Sequence, residues 1–238
     1  MKLLVLAGGF GTRLQAVVPA LPKALAPVGG VPFLQLQIEH WIAQGIHSFA
    51  FLLHHQADLI ISFLQREKQV GALIGCEVRW LVEPKPMDTG GAVAYAVEQI
   101  GLTGNFLVTN ADSWLGTGIA DVIKAKPPAM AVIRLQDTSR YGRVLFNQQK
   151  QIISFVEKNN IQGVGWINAG LCLLNAESFQ EWNHLPFSLE RQTFPALVAC
   201  GKLKAITLET DFIDIGVPDD YYGFCRWIAA GRKGDLCS

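Results

Sequence analysis

A glycine-rich segment followed by an arginine lies near the start of the chain, directly after a short apolar run. Its sequence is LAGGFGTRL, residues 6–14, with three glycines within four positions. Glycines let a backbone approach a phosphate closely and turn several amide groups toward it. The hydroxyl of Thr12 and the guanidinium of Arg13 would add donors suited to phosphate oxygens. The segment predicts a phosphate-binding loop, although a plain glycine turn leaving a strand would contain the same glycines.

The spacing of this segment differs from that of two well-known phosphate loops. The dinucleotide-binding fingerprint requires a third glycine where Leu14 stands, and the P-loop of ATPases requires Lys-Ser or Lys-Thr after its last glycine. A second cation, Lys23, follows in the sequence PKALAP, where Pro22 restrains the backbone. Lys23 could act as a point charge on a phosphate, and its alternative role is that of a solvated surface lysine.

Two aspartates stand among apolar residues at predicted strand ends. Asp112 follows an apolar run in the sequence TNADS, and Asp214 lies between two isoleucines in FIDIGVPDDY. A carboxylate in apolar surroundings is costly to bury unless it is paired or binds a metal ion. Either residue alone would be interpreted as a turn or helix-cap aspartate. Together they predict a site for one Mg²⁺, which prefers oxygen ligands.

The first half of the chain must supply the framework for these residues. Apolar runs predict strands at residues 2–7, 48–53, 78–82 and 105–109. Helical spacing predicts helices at residues 33–44, 57–65 and 91–100. This alternation predicts a parallel sheet covered by helices, in which ligands bind at the carboxyl ends of the strands. Residues 8–13 and Asp112 should therefore lie on the same edge of the sheet.

The second half of the chain has a different pattern, rich in short strands. Strands are predicted at residues 129–135, 143–147, 151–157 and 166–174, and helices at residues 188–199 and 219–230. We expect an α/β fold in which a mixed, mainly parallel sheet is flanked by helices and carries an inserted β-rich lobe. One domain should cover residues 1–238.

Composition argues against several classes of partner. The chain has 20 Lys plus Arg and 20 Asp plus Glu, so its formal net charge is zero. A basic stripe or a run of like charges, which would indicate nucleic acid or a membrane surface, is not found. No segment approaches the roughly 18 apolar residues of a membrane span. The five cysteines lack C-x-x-C spacing, which argues against a disulfide framework and a zinc site. We expect a cytoplasmic protein that acts on small molecules.

The motifs together resemble those of a known enzyme family. The order of GGFGTRL, a Pro-Lys, a strand-end aspartate and a late DIGVP resembles the sugar-1-phosphate nucleotidylyltransferases from residue 3 to about residue 228. The D-glycero-α-D-manno-heptose 1-phosphate guanylyltransferases are similar more narrowly, in MDTGGAVAYAV, RYGRVLF, FVEK, GWINAGLCLL and FIDIGVPDDYYGF. The resemblance implies the Rossmann-like nucleotidyltransferase fold, with the β-rich lobe binding the sugar. It also implies Mg²⁺ as a cofactor and a role in GDP-heptose and polysaccharide biosynthesis.

The resemblance assigns roles residue by residue. The catalytic residues would be Arg13, Lys23 and Asp112. The metal ligands would be Asp112 and Asp214. Nucleotide contacts would come from Leu6, Ala7, Gly8, Gly9, Gly11, Thr12, Arg13, Lys23, Glu83, Thr89, Gly90 and Asp112. The sugar phosphate would contact Gly142, Glu157, Lys158 and Asn168. One departure from the family is Ala111, where glycine is common. We expect a slight backbone shift there and a retained metal site.

The implied reaction transfers GMP from GTP to a sugar 1-phosphate, with D-glycero-α-D-manno-heptose 1-phosphate as the sugar. The nearest alternatives keep this chemistry with mannose 1-phosphate, or with UTP or dTTP. A non-catalytic regulator that binds a sugar nucleotide would be free to lose Arg13, Lys23 or a metal aspartate, yet all are present. A glycosyltransferase is disfavoured because residues 112–114 do not form an Asp-x-Asp motif. A homodimer is the commonest form of soluble oligomer.

Overall fold

A computed structural model describes residues 1–156 and 163–232 of the chain. Its strands, in chain order, are β1 (Lys2–Leu6), β2 (Pro27–Val28), β3 (Val31–Pro32), β4 (Ser48–Leu53), β5 (Glu77–Val82), β6 (Asn105–Asn110), β7 (Ser113–Leu115), β8 (Ala129–Leu135), β9 (Arg143–Phe146), β10 (Ile152–Val156), β11 (Gly165–Asn175), β12 (Lys204–Thr207) and β13 (Phe212–Asp214). Its α-helices are α1 (Phe33–Ala43), α2 (Ala57–Val70), α3 (Asp88–Ile100), α4 (Ile119–Lys124), α5 (Phe194–Ala199) and α6 (Pro218–Ala229).

The chain divides into two compact units that alternate along the sequence. The first unit consists of Met1–Lys85, Asn110–Gly116 and Asp211–Ser238, and the second consists of Pro86–Thr109 and Thr117–Thr210. A single domain over residues 1–238 remains a prediction.

Parallel strands form the sheet of the first unit. β4 pairs with β1 on one side and with β5 on the other, both in parallel. The central strand β4 is buried along residues 49–53, as expected for a strand covered on both faces. Helix α1 ends before Gly45, whose φ of +89° suits glycine. The predicted strands and helices of this unit lie within a few residues of those observed, except that α2 continues to Val70.

A small antiparallel pair in the first unit brings the two predicted metal ligands together. β13 pairs with β7, so that Asp214 lies opposite Ser113. The amide of Ile215 donates a hydrogen bond to the carbonyl of Asp112 over 2.9 Å. The backbone segments that carry both aspartates are therefore adjacent, although the residues are far apart in the sequence.

A buried aromatic cluster holds this strand pair against the helices. The side chain of Trp114 in β7 is 1% exposed, and its ring centroid lies 5.3 Å from that of Phe224 and 6.1 Å from that of Trp227 in α6. On α1, the ring of His40 stacks on Trp114 at 4.3 Å. The same core contains Leu14, Phe33, Ile213 and Ile215. Because Leu14 closes the glycine segment and two of these isoleucines flank Asp214, the cluster fixes the ends of both functional segments.

The second unit is rich in β-structure, as predicted, and its strands pair mainly in antiparallel fashion. β11 pairs antiparallel with β6, β8 and β9, and β10 pairs antiparallel with β9. β12 pairs with β8 in parallel. The helix predicted at residues 188–199 begins with a π-helical turn at Leu189–Thr193 and continues as α5. Strand β12 and helix α4 were not predicted.

None of the helices within residues 1–156 and 163–232 combines the length and the apolar character that crossing a membrane requires.

Replacing Trp114 by alanine should lower the free energy of unfolding by about 3–5 kcal/mol, the usual cost of deleting a large buried aromatic side chain. Tyr222 on α6 is 46% exposed and provides a matched control, because Tyr222→Ala should change stability by no more than about 0.5 kcal/mol. Chemical denaturation followed by circular dichroism measures both variants. Equal losses in the two variants would contradict the role given to the Trp114 cluster.

Candidate active site

The ammonium group of Lys23 lies between the carboxylates of Asp112 and Asp214. Its Nζ atom is 2.5 Å from Asp112 Oδ2 and 3.2 Å from Asp214 Oδ1. The two oxygens are thus no farther apart than the sum of these distances. All three residues belong to the first unit. The structure therefore brings together the lysine and the two aspartates that the sequence singled out, while their roles in catalysis and metal binding remain predictions.

Burial and mutual charge determine the ionisation of this cluster. Burial disfavours the charge on Lys23, but the carboxylates of Asp112 and Asp214 outweigh it, so the pKa of Lys23 lies above its ordinary value. Burial, together with the negative charge of Asp112, raises the pKa of Asp214 despite the opposing effects of Lys23 and the Gly216 amide. Ionising Asp214 beside the charged Asp112 therefore costs electrostatic free energy, and a further cation at this point would reduce that cost.

Gly216 lies beside this cluster and was not among the predicted site residues. Its amide donates to Asp214 Oδ1 over 2.7 Å. A Cβ atom at this position would lie 2.7 Å from Asp214 Oδ1, 2.9 Å from Lys23 Nζ and 3.3 Å from Arg13 Nη2. The guanidinium of Arg13 therefore approaches the same point as the lysine and the aspartate. Lack of space, rather than backbone conformation, is the reason for glycine at position 216.

The glycine segment after β1 forms one wall of the same cleft. The amide of Ala111 donates to the carbonyl of Leu6 over 3.0 Å, which places the segment of Asp112 beside the end of β1. Gly11 has a φ of +61°, in the left-handed region. Within the part of the chain that the structure describes, the amides of residues 9–13 donate no hydrogen bond to the protein. The cleft has a volume of about 250 Å³ and is lined by Leu6, Ala7, Gly9, Phe10, Gly11, Thr12, Arg13, Pro22, Lys23, Ala24, Ala111, Asp112 and Gly216.

Glu83, predicted to contact the nucleotide, lies against the start of the glycine segment. Its side chain is buried, and a Cβ atom on Gly8 would lie 3.0 Å from Glu83 Oε1 and 3.2 Å from His54. This close approach explains the glycine at position 8. Phe10, at the cleft, is 53% exposed, and its ring centroid lies 6.0 Å from that of His54 and 5.1 Å from that of His55. The exposed phenylalanine was not predicted as a site residue, although a large apolar side chain within a phosphate loop is a usable signal.

Thr89 and Gly90, the other predicted nucleotide contacts, bind a segment of the second unit. Thr89 Oγ1 donates to Glu190 Oε2 over 2.6 Å and accepts from the amide of Leu189 over 2.9 Å. The amide of Gly90 donates to the carbonyl of Phe187 over 2.9 Å, and a Cβ atom on Gly90 would overlap the ring of Phe187. Packing within the second unit thus accounts for a threonine at position 89 and a glycine at position 90. Their contact with a nucleotide stays a prediction.

Two of the four predicted sugar-phosphate residues are neighbours in the second unit. The amide of Asn168 donates to the carbonyl of Gly142 over 3.1 Å, and Asn168 Oδ1 accepts from the amide of Gly170 over 3.0 Å. The pairing of β11 with β8 shifts register just after Asn168, where Gly170 has a φ of +75°. Such bulges often redirect side chains at functional sites. Glu157 and Lys158 lie outside the described residues.

Comparison with known protein families adds an independent finding. A family model described as nucleotidyl transferase matches residues 2–229. The chain belongs to this family. Among curated proteins, this nucleotidyl transferase is 29% identical to the D-glycero-alpha-D-manno-heptose 1-phosphate guanylyltransferase of Campylobacter jejuni, over 94% of this chain and 98% of that relative. It is 31% identical to the mannose-1-phosphate guanyltransferase of Aspergillus fumigatus over 98% of this chain, but it spans only 66% of that relative.

Solved structures confirm the fold of this nucleotidyl transferase. The crystal structure of HddC from Yersinia pseudotuberculosis superimposes with a TM-score of 0.84 at 31% identity, over 95% of this chain and 99% of that one. A second crystal structure of HddC, complexed with GMP-PN, has a TM-score of 0.81 at 30% identity. The predicted nucleotidyltransferase fold, a mixed, mainly parallel sheet flanked by helices, is confirmed by this match.

Changing Gly216 to alanine should lower the activity of this nucleotidyl transferase roughly ten- to a hundredfold, because the added methyl group displaces the carboxylate of Asp214 and the ammonium of Lys23. Gly223 in α6 is the matched control, since a Cβ atom there would meet its nearest neighbour at an ordinary 3.8 Å. Steady-state pyrophosphate release measures activity, and circular dichroism checks the fold. A fully active Gly216→Ala variant would show that the position tolerates a side chain.

Proposed function

We propose that this nucleotidyl transferase moves GMP from GTP to a sugar 1-phosphate, and that the sugar is D-glycero-α-D-manno-heptose 1-phosphate. The main support for this proposal is the contact of Lys23 with both Asp112 and Asp214, beside Arg13 and the glycine segment. The Campylobacter relative supports the heptose by its name, and the GMP-PN complex of HddC supports the guanine nucleotide.

In the proposed reaction an oxygen of the sugar phosphate attacks the α-phosphorus of GTP and forms a new phosphorus–oxygen bond. The bond from the α-phosphorus to the oxygen that bridges it to the β-phosphorus breaks, and its electron pair leaves with pyrophosphate. The attacking phosphate oxygen is already anionic near neutral pH, so no side chain has to remove a proton. The task of the protein is to bring two polyanions together and to stabilise the charge of the transition state.

The positive groups around the cleft suit this task. The forked guanidinium of Arg13 can bind two phosphate oxygens, and the ammonium of Lys23 can act on a third as a point charge. The amides of residues 9–13 provide further donors to the triphosphate, as in other anion-binding backbone loops. Deleting one such donor usually costs about 3–4 kcal/mol of transition-state stabilisation.

We also propose Mg²⁺ as the cofactor, held by Asp112 and Asp214. The residues fit this ion, because two carboxylate oxygens already converge on one cation, the ammonium of Lys23. Among the described residues, no group of three or more His, Cys, Asp or Glu could hold a metal ion. The remaining ligands would therefore be phosphate oxygens and waters, which is usual for Mg²⁺. When bound, the ion would neutralise phosphate charge and polarise phosphorus–oxygen bonds.

The remaining contacts extend the proposal to both substrates. Glu83, Thr89 and Gly90 would line the base pocket, and Gly142, Glu157, Lys158 and Asn168 would bind the sugar phosphate. The hydrogen bond between Asn168 and Gly142 supports the placement of the sugar-phosphate residues.

An enzyme that consumes GTP and sugar phosphates for biosynthesis would act in the cytoplasm, and a homodimer is the expected assembly.

Mannose 1-phosphate is the second candidate sugar, because the Aspergillus relative is named for it. The heptose is preferred since this chain spans 98% of the Campylobacter relative but 66% of the Aspergillus one.

A panel of substrates tests the proposal. The purified protein would be incubated with GTP, ATP, CTP, UTP or dTTP, each with the heptose, mannose or glucose 1-phosphate, and pyrophosphate would be measured. We expect release with GTP and the heptose phosphate, its loss with EDTA, and its return with added Mg²⁺. A preference for UTP or dTTP would contradict the guanylyl assignment, and no release from any pair would contradict the enzyme.

Removing single charges tests the roles of the site residues. Arg13→Ala and Asp112→Asn should each lower pyrophosphate release about a hundredfold or more without unfolding the protein. Lys68→Ala, at an exposed lysine of α2, is the matched control and should retain full activity. Turnover in either site variant equal to that of the control would refute the role assigned to that residue.

A further inference from the structure

Helix α1 contacts the segment of Asp112 through a buried glutamine. The side chain of Gln37 is 1% exposed. Its Nε2 atom lies 2.9 Å from the carbonyl oxygen of Ser113 and 3.5 Å from that of Asn110. These two carbonyls flank Ala111 and Asp112, so that one side-chain amide is a donor to the backbone on both sides of the aspartate.

The strand that follows Asp112 explains why such a donor is needed. The carbonyl of Asp112 accepts from Ile215, and the amide of Gly116 donates to Asp211, so both groups face β13. In an antiparallel pair the backbone groups of alternate residues face opposite edges. The carbonyls of Ser113 and Leu115 therefore face away from β13, and buried carbonyls without a donor destabilise a fold.

His40 makes a second contact with β7 from the same face of α1, three residues after Gln37. Its Nε2 atom is 3.0 Å from the carbonyl oxygen of Leu115 and 2.9 Å from Nε2 of Gln44, and the tautomer that is protonated at Nε2 donates to that carbonyl. The stacked contact with Trp114 fixes the orientation of the ring. Two side chains of one helix face thus hold the outer edge of β7.

The orientation of the Gln37 amide indicates that these backbone contacts decide its position. Its Oε1 atom is buried and has no hydrogen-bond partner within residues 1–156 and 163–232. The reverse orientation would direct Oε1 at the carbonyl oxygens of Asn110 and Ser113, where two acceptors repel. The Nε2 atom therefore donates to these two carbonyls, although Oε1 of the same amide makes no hydrogen bond within the described residues.

We propose that Gln37 is a positioning residue for Asp112, which fixes the backbone on both sides of the aspartate and thereby the place of its carboxylate. The inference rests on the proposed function, in which Asp112 is a metal ligand. Asp112 is held from one side by α1 and from the other by β13. Without the glutamine donor the segment 110–113 would relax, and its carboxylate would no longer be directed at the point it shares with Asp214.

Gln37→Met tests the proposal, because methionine has a similar length and no donor. We expect kcat to fall about tenfold or more and the Mg²⁺ concentration for half-maximal activity to rise several-fold. The KM for the sugar phosphate should stay within about twofold. Binding of Mn²⁺ with a non-hydrolysable GTP analogue, followed by electron paramagnetic resonance, should weaken by a similar factor without turnover. Gln35→Met is the matched control, since Gln35 lies on the same helix and pairs with Glu39 at the surface.

A role in packing alone predicts a different result. Gln37→Met would then change thermal stability but neither kcat nor the affinity for Mn²⁺, and that result would overturn the proposal. If the methionine variant does not fold, Gln37→Asn keeps an amide but withdraws it by one methylene from both carbonyls, and it should show the same changes to a smaller extent. If the wild-type protein releases no pyrophosphate, the proposed function fails, while the Mn²⁺ affinities of wild type and variant still decide the role of Gln37.

Discussion

The contact of one ammonium group with two carboxylates is the interaction on which the rest of this site depends. Two unit charges roughly 4 Å apart repel each other by about 4 kcal/mol at an effective dielectric constant of about 20. Asp112 and Asp214 are tolerated together because Lys23 lies within hydrogen-bond distance of both. The arrangement suits a site for another cation, since the two carboxylates already lie close together.

The surrounding structure serves to maintain this convergence. The short pair β7–β13 places the backbones of the two aspartates side by side, and the aromatic cluster around Trp114 supports that pair from α1 and α6. Glycines at positions 8 and 216 leave the space that Glu83 and the charged cluster occupy. The first unit thus combines a buried apolar framework with a cleft lined by the glycine segment and the charged cluster.

The sequence predicted the framework better than the contacts made inside it. Parallel strands such as β4 are continuous apolar runs, and the rule that ligands bind at their carboxyl ends correctly placed residues 8–13 beside Asp112. The strands β7 and β13 have three residues each, which is too short for the alternation of apolar and polar residues that identifies a strand in a sequence. Gly216 and Gln37 were missed because their roles arise only in three dimensions. Thr89 and Gly90 could not be interpreted fully, since their partners in residues 187–190 lie about a hundred positions later.

A crystal structure with Mn²⁺ and a non-hydrolysable GTP analogue would show directly whether Asp112 and Asp214 bind one metal ion together. The anomalous signal of manganese locates the ion without reference to the protein. We expect one strong peak at coordination distance from a carboxylate oxygen of Asp112 and from one of Asp214, with the triphosphate against residues 8–13. A manganese ion bound elsewhere, or an Asp214 carboxylate turned away from it, would show that the two aspartates do not share the metal ion.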